Sequence, residues 1–125
     1  MEHSFFFDGD SKRIRWVIQN NKSTIDQKRE HPEIYINNVT IQESKYIAMH
    51  VGLFWGIGKF IIKNGDRITI KVDDKTIFAH LSKNEESPND FIKTRMCFIT
   101  QLIKQRKLKI NYELVNKEND LDSKL

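Results

Sequence analysis

At 125 residues, with 38% hydrophobic and 30% charged side chains, the chain is long enough for one core held without disulfides or metals, so a single domain over 1–125 is expected. Its 21 basic against 17 acidic residues leave a formal net charge of +4, compatible with a polyanionic partner and equally with ordinary solubility. The lone Cys97 excludes an internal disulfide and points to a reducing, intracellular setting such as the cytoplasm; no apolar run reaches membrane-spanning length, and MEHSFFFDGD lacks the leader and apolar core of a signal peptide.

His3 to Phe7 is a short apolar run predicted as a buried strand, closed by the turn signal Asp8-Gly9-Asp10. Ile14 to Gln19 alternates and lies close enough to pair with it as an antiparallel hairpin. Asn20 to Pro32 is polar and breaker-rich and reads as a loop, with a short third strand at Ile34 to Ile36. Thr40 then caps a long helix, and Glu43 three residues on completes a capping box. From Ile41 to about Ile62 apolar residues recur on several faces, the pattern of a buried helix, whose end is expected at Asn64-Gly65 after Lys59 and Lys63.

Arg67 to Val72 alternates as a fourth strand ending at Asp73-Asp74, and a short helix from Lys75 to about Ser82 follows. Ser87-Pro88-Asn89-Asp90 signals another helix, with Ser87 as the cap and Pro88 at the first helical position. Its apolar stripe is Ile92, Met96, Ile99 and Ile103, with Phe91, Phe98 and Leu102 beside it. Leu108 to Val115 alternates as a fifth strand, and Asn116 to Leu125 is a polar tail able to begin a last helix.

These elements predict an α/β fold: a mixed five-stranded sheet, three strands antiparallel and two parallel, flanked by helices. The first and fourth strands become parallel neighbours, which brings Asp8 and Asp73 to the C-terminal edge where ligands and metals gather in α/β sheets. On the residues alone, the two carboxylates are either a divalent-metal site or separate turn and cap residues.

The element order, Asp-Gly after the first strand, Thr-x-x-x-x-x-Tyr-x-Ala-x-x-x-Gly-Leu from Thr40 to Leu53, and an aspartate with a hydrophobic helix after the fourth strand together resemble the ribonuclease H type 1 family and its reverse-transcriptase-like relatives. The resemblance spans nearly the whole chain. It implies a ribonuclease H-like fold that binds an RNA:DNA hybrid and cleaves the RNA strand with Mg²⁺ (or Mn²⁺). Asp8 matches the first metal-binding acid and Asp73 the third. With Thr40, Tyr46, Ala48, Gly52 and Leu53 in register, Lys45 falls at the place of the family's glutamate. Glu43 is the nearby acid, but two residues on a helix turn it by about 200°. The fourth acid is assigned to Asp122, with Asp120 and Ser123 as the neighbouring positions, so the implied metal set is Asp8, Asp73, Asp122 and Glu43, with Asp8, Asp73 and Asp122 catalytic.

A lysine among these acids puts a positive charge where a metal would stand, a penalty of roughly 4 kcal/mol per unit-charge pair at about 4 Å and an effective dielectric of 20. Alternatively its ammonium takes a cation's structural role and holds Asp8 and Asp73 together. Two functional readings result: an active Mg²⁺-dependent endoribonuclease, or a degenerate module kept for binding nucleic acid (RNA:DNA hybrid or double-stranded RNA) or a protein. His50 and His80 read as packing or surface residues rather than catalysts. Trp16, between Arg15 and Val17, is the one aromatic to test for base contact, with burial as its alternative; Lys104 to Lys109 reads as a solvated helix end.

Overall fold

A computed structural model describes residues 1–83, 85 and 87–116 of the chain; Asp120, Asp122 and Ser123 lie outside the described residues. The elements run β1 (Glu2–Gly9), β2 (Arg13–Gln19), β3 (Thr24–Glu30), α1 (Ile41–Gly58), β4 (Arg67–Val72), α2 (Lys75–Lys83), α3 (Asp90–Gln105) and β5 (Lys109–Leu114). They form a five-stranded sheet in the order β3-β2-β1-β4-β5. The β1–β2 and β2–β3 pairs are antiparallel, and the β1–β4 and β4–β5 pairs are parallel. The mixed sheet expected from the sequence is therefore present.

Strand alternation sends Phe5, Phe7, Ile14, Trp16, Ile18, Ile68, Ile70 and Val72 into the core, while Phe6 and Val17 form a small apolar pair of their own. Helix α1 lies across β1 and β2 and carries α3, and α2 packs against β4 and β5. Sandwiched in this way, every residue of α1 from Ser44 to Met49 is buried. Thr40 and Glu43 close the reciprocal capping box at its start.

Three boundaries differ from the sequence reading. Helix α1 stops at Gly58, not at Asn64-Gly65, and Phe60 takes a positive φ of 60°. The chain then folds back so that Ile61 and Ile62 both donate to the Gly56 carbonyl, and the bare Gly56 Cα makes room for Ile62, whose Cδ1 would stand 2.8 Å from an added Cβ. The third strand is Thr24–Glu30, inside the segment read as a loop; residues 34–36 form turns, with Tyr35 and Ile36 donating to the Pro32 carbonyl. As an edge strand, β3 contributes one apolar residue, Ile25, opposite Ile18, and so shows little alternation. Finally, α3 is capped by Asn89, whose Oδ1 accepts from the Ile92 N–H, while Ser87 Oγ accepts from the Asn89 N–H one step earlier.

Candidate functional site

The parallel β1–β4 ladder sets Phe6 beside Lys71, so Asp8 and Asp73, each two residues further on, emerge side by side at the C-terminal edge. Asp8 Oδ1 accepts from the Gly9 N–H at 2.8 Å. Gly9 is required here by contact rather than by turn geometry: an added Cβ would lie 2.3 Å from Ser44 Oγ and 2.8 Å from the Ser44 carbonyl carbon. The buried His31 Nε2 lies 2.8 Å from Ser44 Oγ and 3.1 Å from the Asp10 carbonyl oxygen, which ties the Asp-Gly turn to the first turns of α1.

That close approach delivers Lys45 to the strand ends. Its Nζ donates to Asp73 Oδ1 at 3.1 Å and stands 4.0 Å from Asp8 Oδ1. The residue is only 8% exposed, so the ammonium is held in a largely desolvated space between two carboxylates. Asp73 Oδ2 is buried and accepts no hydrogen bond among the described residues. The adjacent Asp74 plays a different part, since its Oδ1 caps α2 by accepting from the Thr76 and Ile77 N–H groups.

Glu43 faces elsewhere, as its helical phase requires. Its Oε1 accepts from the Thr40 N–H and its Oε2 from Asn89 Nδ2, so it caps α1 and fastens it to the cap of α3. Those two partners, the Thr40 N–H first and then Asn89, hold the Glu43 carboxyl below the usual range. His50 Nδ1 meets Arg95 Nη1 at 3.0 Å and its ring stacks on Phe98; His80 Nδ1 meets the Tyr46 hydroxyl at 3.1 Å. Both histidines serve packing between helices. Trp16 is 1% exposed, which removes it as a base-contacting surface: Ile14, Trp16 and Ile18 are the core-facing positions of β2.

A cavity of about 470 Å³ opens from Lys45 and Asp8 onto β2, with Asp10, Arg13, Arg15 and Lys28 on its walls. Arg15 and Lys28 are cross-strand partners, and Arg13 lies two residues from Arg15 on the same sheet face. Arg15 is engaged by Asp26, its Nε donating to Oδ1 at 3.0 Å, Arg13 acts through its charge on the Asp10 carboxyl, and Lys28 forms no ion pair among the described residues. Nothing in the linear order of residues joins these cations to the site. The signal that unites them is the β2–β3 register, which was hidden with β3. A larger depression of about 1250 Å³, lined in part by Ser4, Arg67, Thr69 and Lys109, lies at the opposite end of the parallel strands and is remote from Asp8 and Asp73.

Whether the described residues fit the implied Mg²⁺ follows from their donor atoms. Divalent cations of this kind are held by oxygen ligands, and an ammonium offers three donors and no lone pair. Here the two converging carboxylates enclose an ammonium, and among the described residues no group of three or more His, Cys, Asp or Glu side chains is placed to hold a metal ion. The described set does not fit a divalent metal, and Glu43, spent on two helix caps, adds nothing to it. Asp122 lies outside the described residues.

The strand order, the helix α1 between β3 and β4, and the paired strand-end aspartates define a ribonuclease H-like fold. Solved structures agree with it. RNase H1 from the halophilic archaeon Halobacterium salinarum NRC-1 superposes with a TM-score of 0.76 at 12% identity, over 95% of this chain and 89% of that one. The N-terminal RNase H domain of a Mycobacterium tuberculosis protein gives 0.74 at 15% identity, over 97% and 86%. LC11-RNase H1 in complex with an RNA/DNA hybrid gives 0.73 at 13% identity, over 96% and 89%. No protein-family model and no curated protein matches the sequence. Among the described residues no helix is long and apolar enough to cross a membrane.

Proposed function

We propose that this chain is a single ribonuclease H-like domain that binds nucleic-acid duplexes, RNA:DNA hybrid foremost and double-stranded RNA by the same means, without metal-dependent cleavage of the RNA strand. The observation that carries the reading is the Lys45 ammonium set 3.1 Å from Asp73 and 4.0 Å from Asp8. It offsets one of the two negative charges that would otherwise repel a phosphate backbone. The groove beside it adds Lys28, which forms no ion pair among the described residues, and Arg13, whose charge is shared with the Asp10 carboxylate on the same wall. Duplexes containing RNA are read by shape and by their 2′-hydroxyls rather than by base edges, which needs no exposed aromatic platform, and none is offered by the buried Trp16. The hybrid held by LC11-RNase H1 supports the choice of duplex. A reducing, intracellular compartment suits the exposed, unpaired Cys97.

The test is the salt dependence of hybrid binding. Wild-type affinity falls steeply with salt, and Arg13→Gln with Lys28→Gln lowers the log–log slope by about 2, at roughly one unit per lost phosphate contact. Lys104→Gln with Lys107→Gln, at the far end of α3, leaves the slope unchanged. Binding that is absent, indifferent to salt, or lost only on removing Lys104 and Lys107 refutes the proposal.

A further inference from the structure

We propose that the outer face of the sheet carries a second contact surface for the sugar–phosphate backbone of a nucleic acid, at the N-terminal end of the parallel strands and separate from the strand-end site. Ser4, Gln19, Thr69 and Asn111 adjoin the core residues Phe5, Ile18, Ile70 and Tyr112, so strand alternation turns all four away from the core. The register aligns them: Gln19 is opposite Ser4, Ser4 stands beside Thr69, and Thr69 beside Asn111. A row of hydroxyl and amide groups thus crosses β2, β1, β4 and β5, a span of about 14 Å at roughly 4.8 Å between neighbouring strands. None of these four side chains makes a hydrogen bond among the described residues, so each offers a donor and an acceptor to whatever lies on the face.

The adjoining row carries charge. Arg67 stands between Glu2 and Lys109 in the register, and Lys22 joins them from the β2–β3 hairpin. Both rows line the depression of about 1250 Å³. Its three basic side chains, Lys22, Arg67 and Lys109, outnumber its one carboxylate, Glu2, and none of the four forms an ion pair among the described residues; His3 is turned onto Asp66. Arginine and lysine together with Ser, Thr, Asn and Gln are the groups that hold phosphate and sugar oxygens without reading bases. A protein partner suits the surface less, because protein interfaces centre on aromatic anchors, and among the described residues no Phe, Tyr or Trp lines the depression. Six residues of β1 separate Glu2 from Asp8, which puts this surface about 20 Å from the strand-end site.

Anisotropy of a labelled RNA:DNA hybrid and of a labelled single-stranded RNA, each across a salt series, tests the surface. Arg67→Gln with Lys109→Gln lowers the log–log slope by about 2 on the hybrid or about 1.4 on the single strand, and an effect on either probe upholds the proposal. Ser4→Ala with Thr69→Val keeps every charge and removes two hydrogen-bonding groups, so affinity falls about tenfold while the slope stays the same. A slope unchanged on both probes without Arg67 and Lys109, or a Ser4→Ala, Thr69→Val protein that binds as tightly as the wild type, overturns the proposal. Poly-glutamate that displaces the RNA as well as unlabelled RNA of equal charge overturns the choice of nucleic acid in favour of an acidic protein segment. A slope that responds to Arg67 and Lys109 but not to Arg13 and Lys28 upholds this surface and refutes the strand-end reading; the reverse pattern refutes this surface alone.

Discussion

Substituting Gly52 by alanine probes the contact that fixes the phase of α1 over the sheet, and with it the position of Lys45. The two residues are seven apart, which places them within about 20° of each other on the helix surface. An alanine Cβ at position 52 would lie 2.6 Å from Phe5 Cζ and 2.8 Å from Trp16 Cγ. Both rings are essentially unexposed, so neither can swing aside into solvent. Replacing glycine inside a helix normally gains about 1 kcal/mol, whereas overpacking a core costs about 1–3 kcal/mol. Two rings from neighbouring strands put this site at the upper end, for a net loss of about 1–2 kcal/mol. Gly58 supplies the control, because an added Cβ there meets nothing within 4 Å and Gly58→Ala should gain about 0.5 kcal/mol. Urea unfolding measures both, the midpoint shifting while the slope stays constant. A Gly52→Ala protein as stable as the wild type, or a Gly58→Ala protein equally weakened, refutes the packing described for α1.

Thr40→Ala removes the N-cap of α1 and with it one half of the capping box, so stability falls by about 1 kcal/mol in the same urea assay. Asp66 governs part of the acid limb of stability. Burial alone would raise its carboxyl, but the Lys63 N–H and the His3 imidazole outweigh that and hold it below its ordinary value of 3.8. Its contribution is therefore complete above pH 3.8 and is lost as pH falls through the lower folded value, and Asp66→Asn flattens that loss in an acid-unfolding titration. His50 is lowered by burial and then by the Arg95 charge, so stability declines as pH falls below its ordinary 6.5. His50→Gln removes that part of the decline, read from melting temperatures across the pH range.

Much of the site could be read from the sequence because it depends on local signals. The apolar run before Asp8, the alternation before Asp73 and the capping box at Thr40 fix three element boundaries, and the right sheet topology then follows. In that frame Lys45 falls between the two aspartates, and its helical phase alone separates it from Glu43. What stayed hidden depended on tertiary contact. TIDQKRE carries one apolar residue and becomes a strand only because β2 supplies its hydrogen-bond partners, so the pairing of Arg15 with Lys28 was hidden too. The apolar pattern of α1 continues to Ile62 although the helix stops at Gly58, because Ile62 enters the core by folding back over Gly56. Gly9 signals a turn in the sequence; its contact with Ser44 exists only after α1 has docked.

The most direct measurement places a hybrid with a labelled RNA strand with the wild type and with Asp73→Asn, in Mg²⁺ and in Mn²⁺, and follows binding and strand length on the same samples. The wild type is expected to bind the hybrid and leave the RNA intact in either ion. Cleavage by the wild type that disappears in Asp73→Asn would contradict the account, because it would mean that the strand-end acids hold catalytic metal despite the ammonium of Lys45.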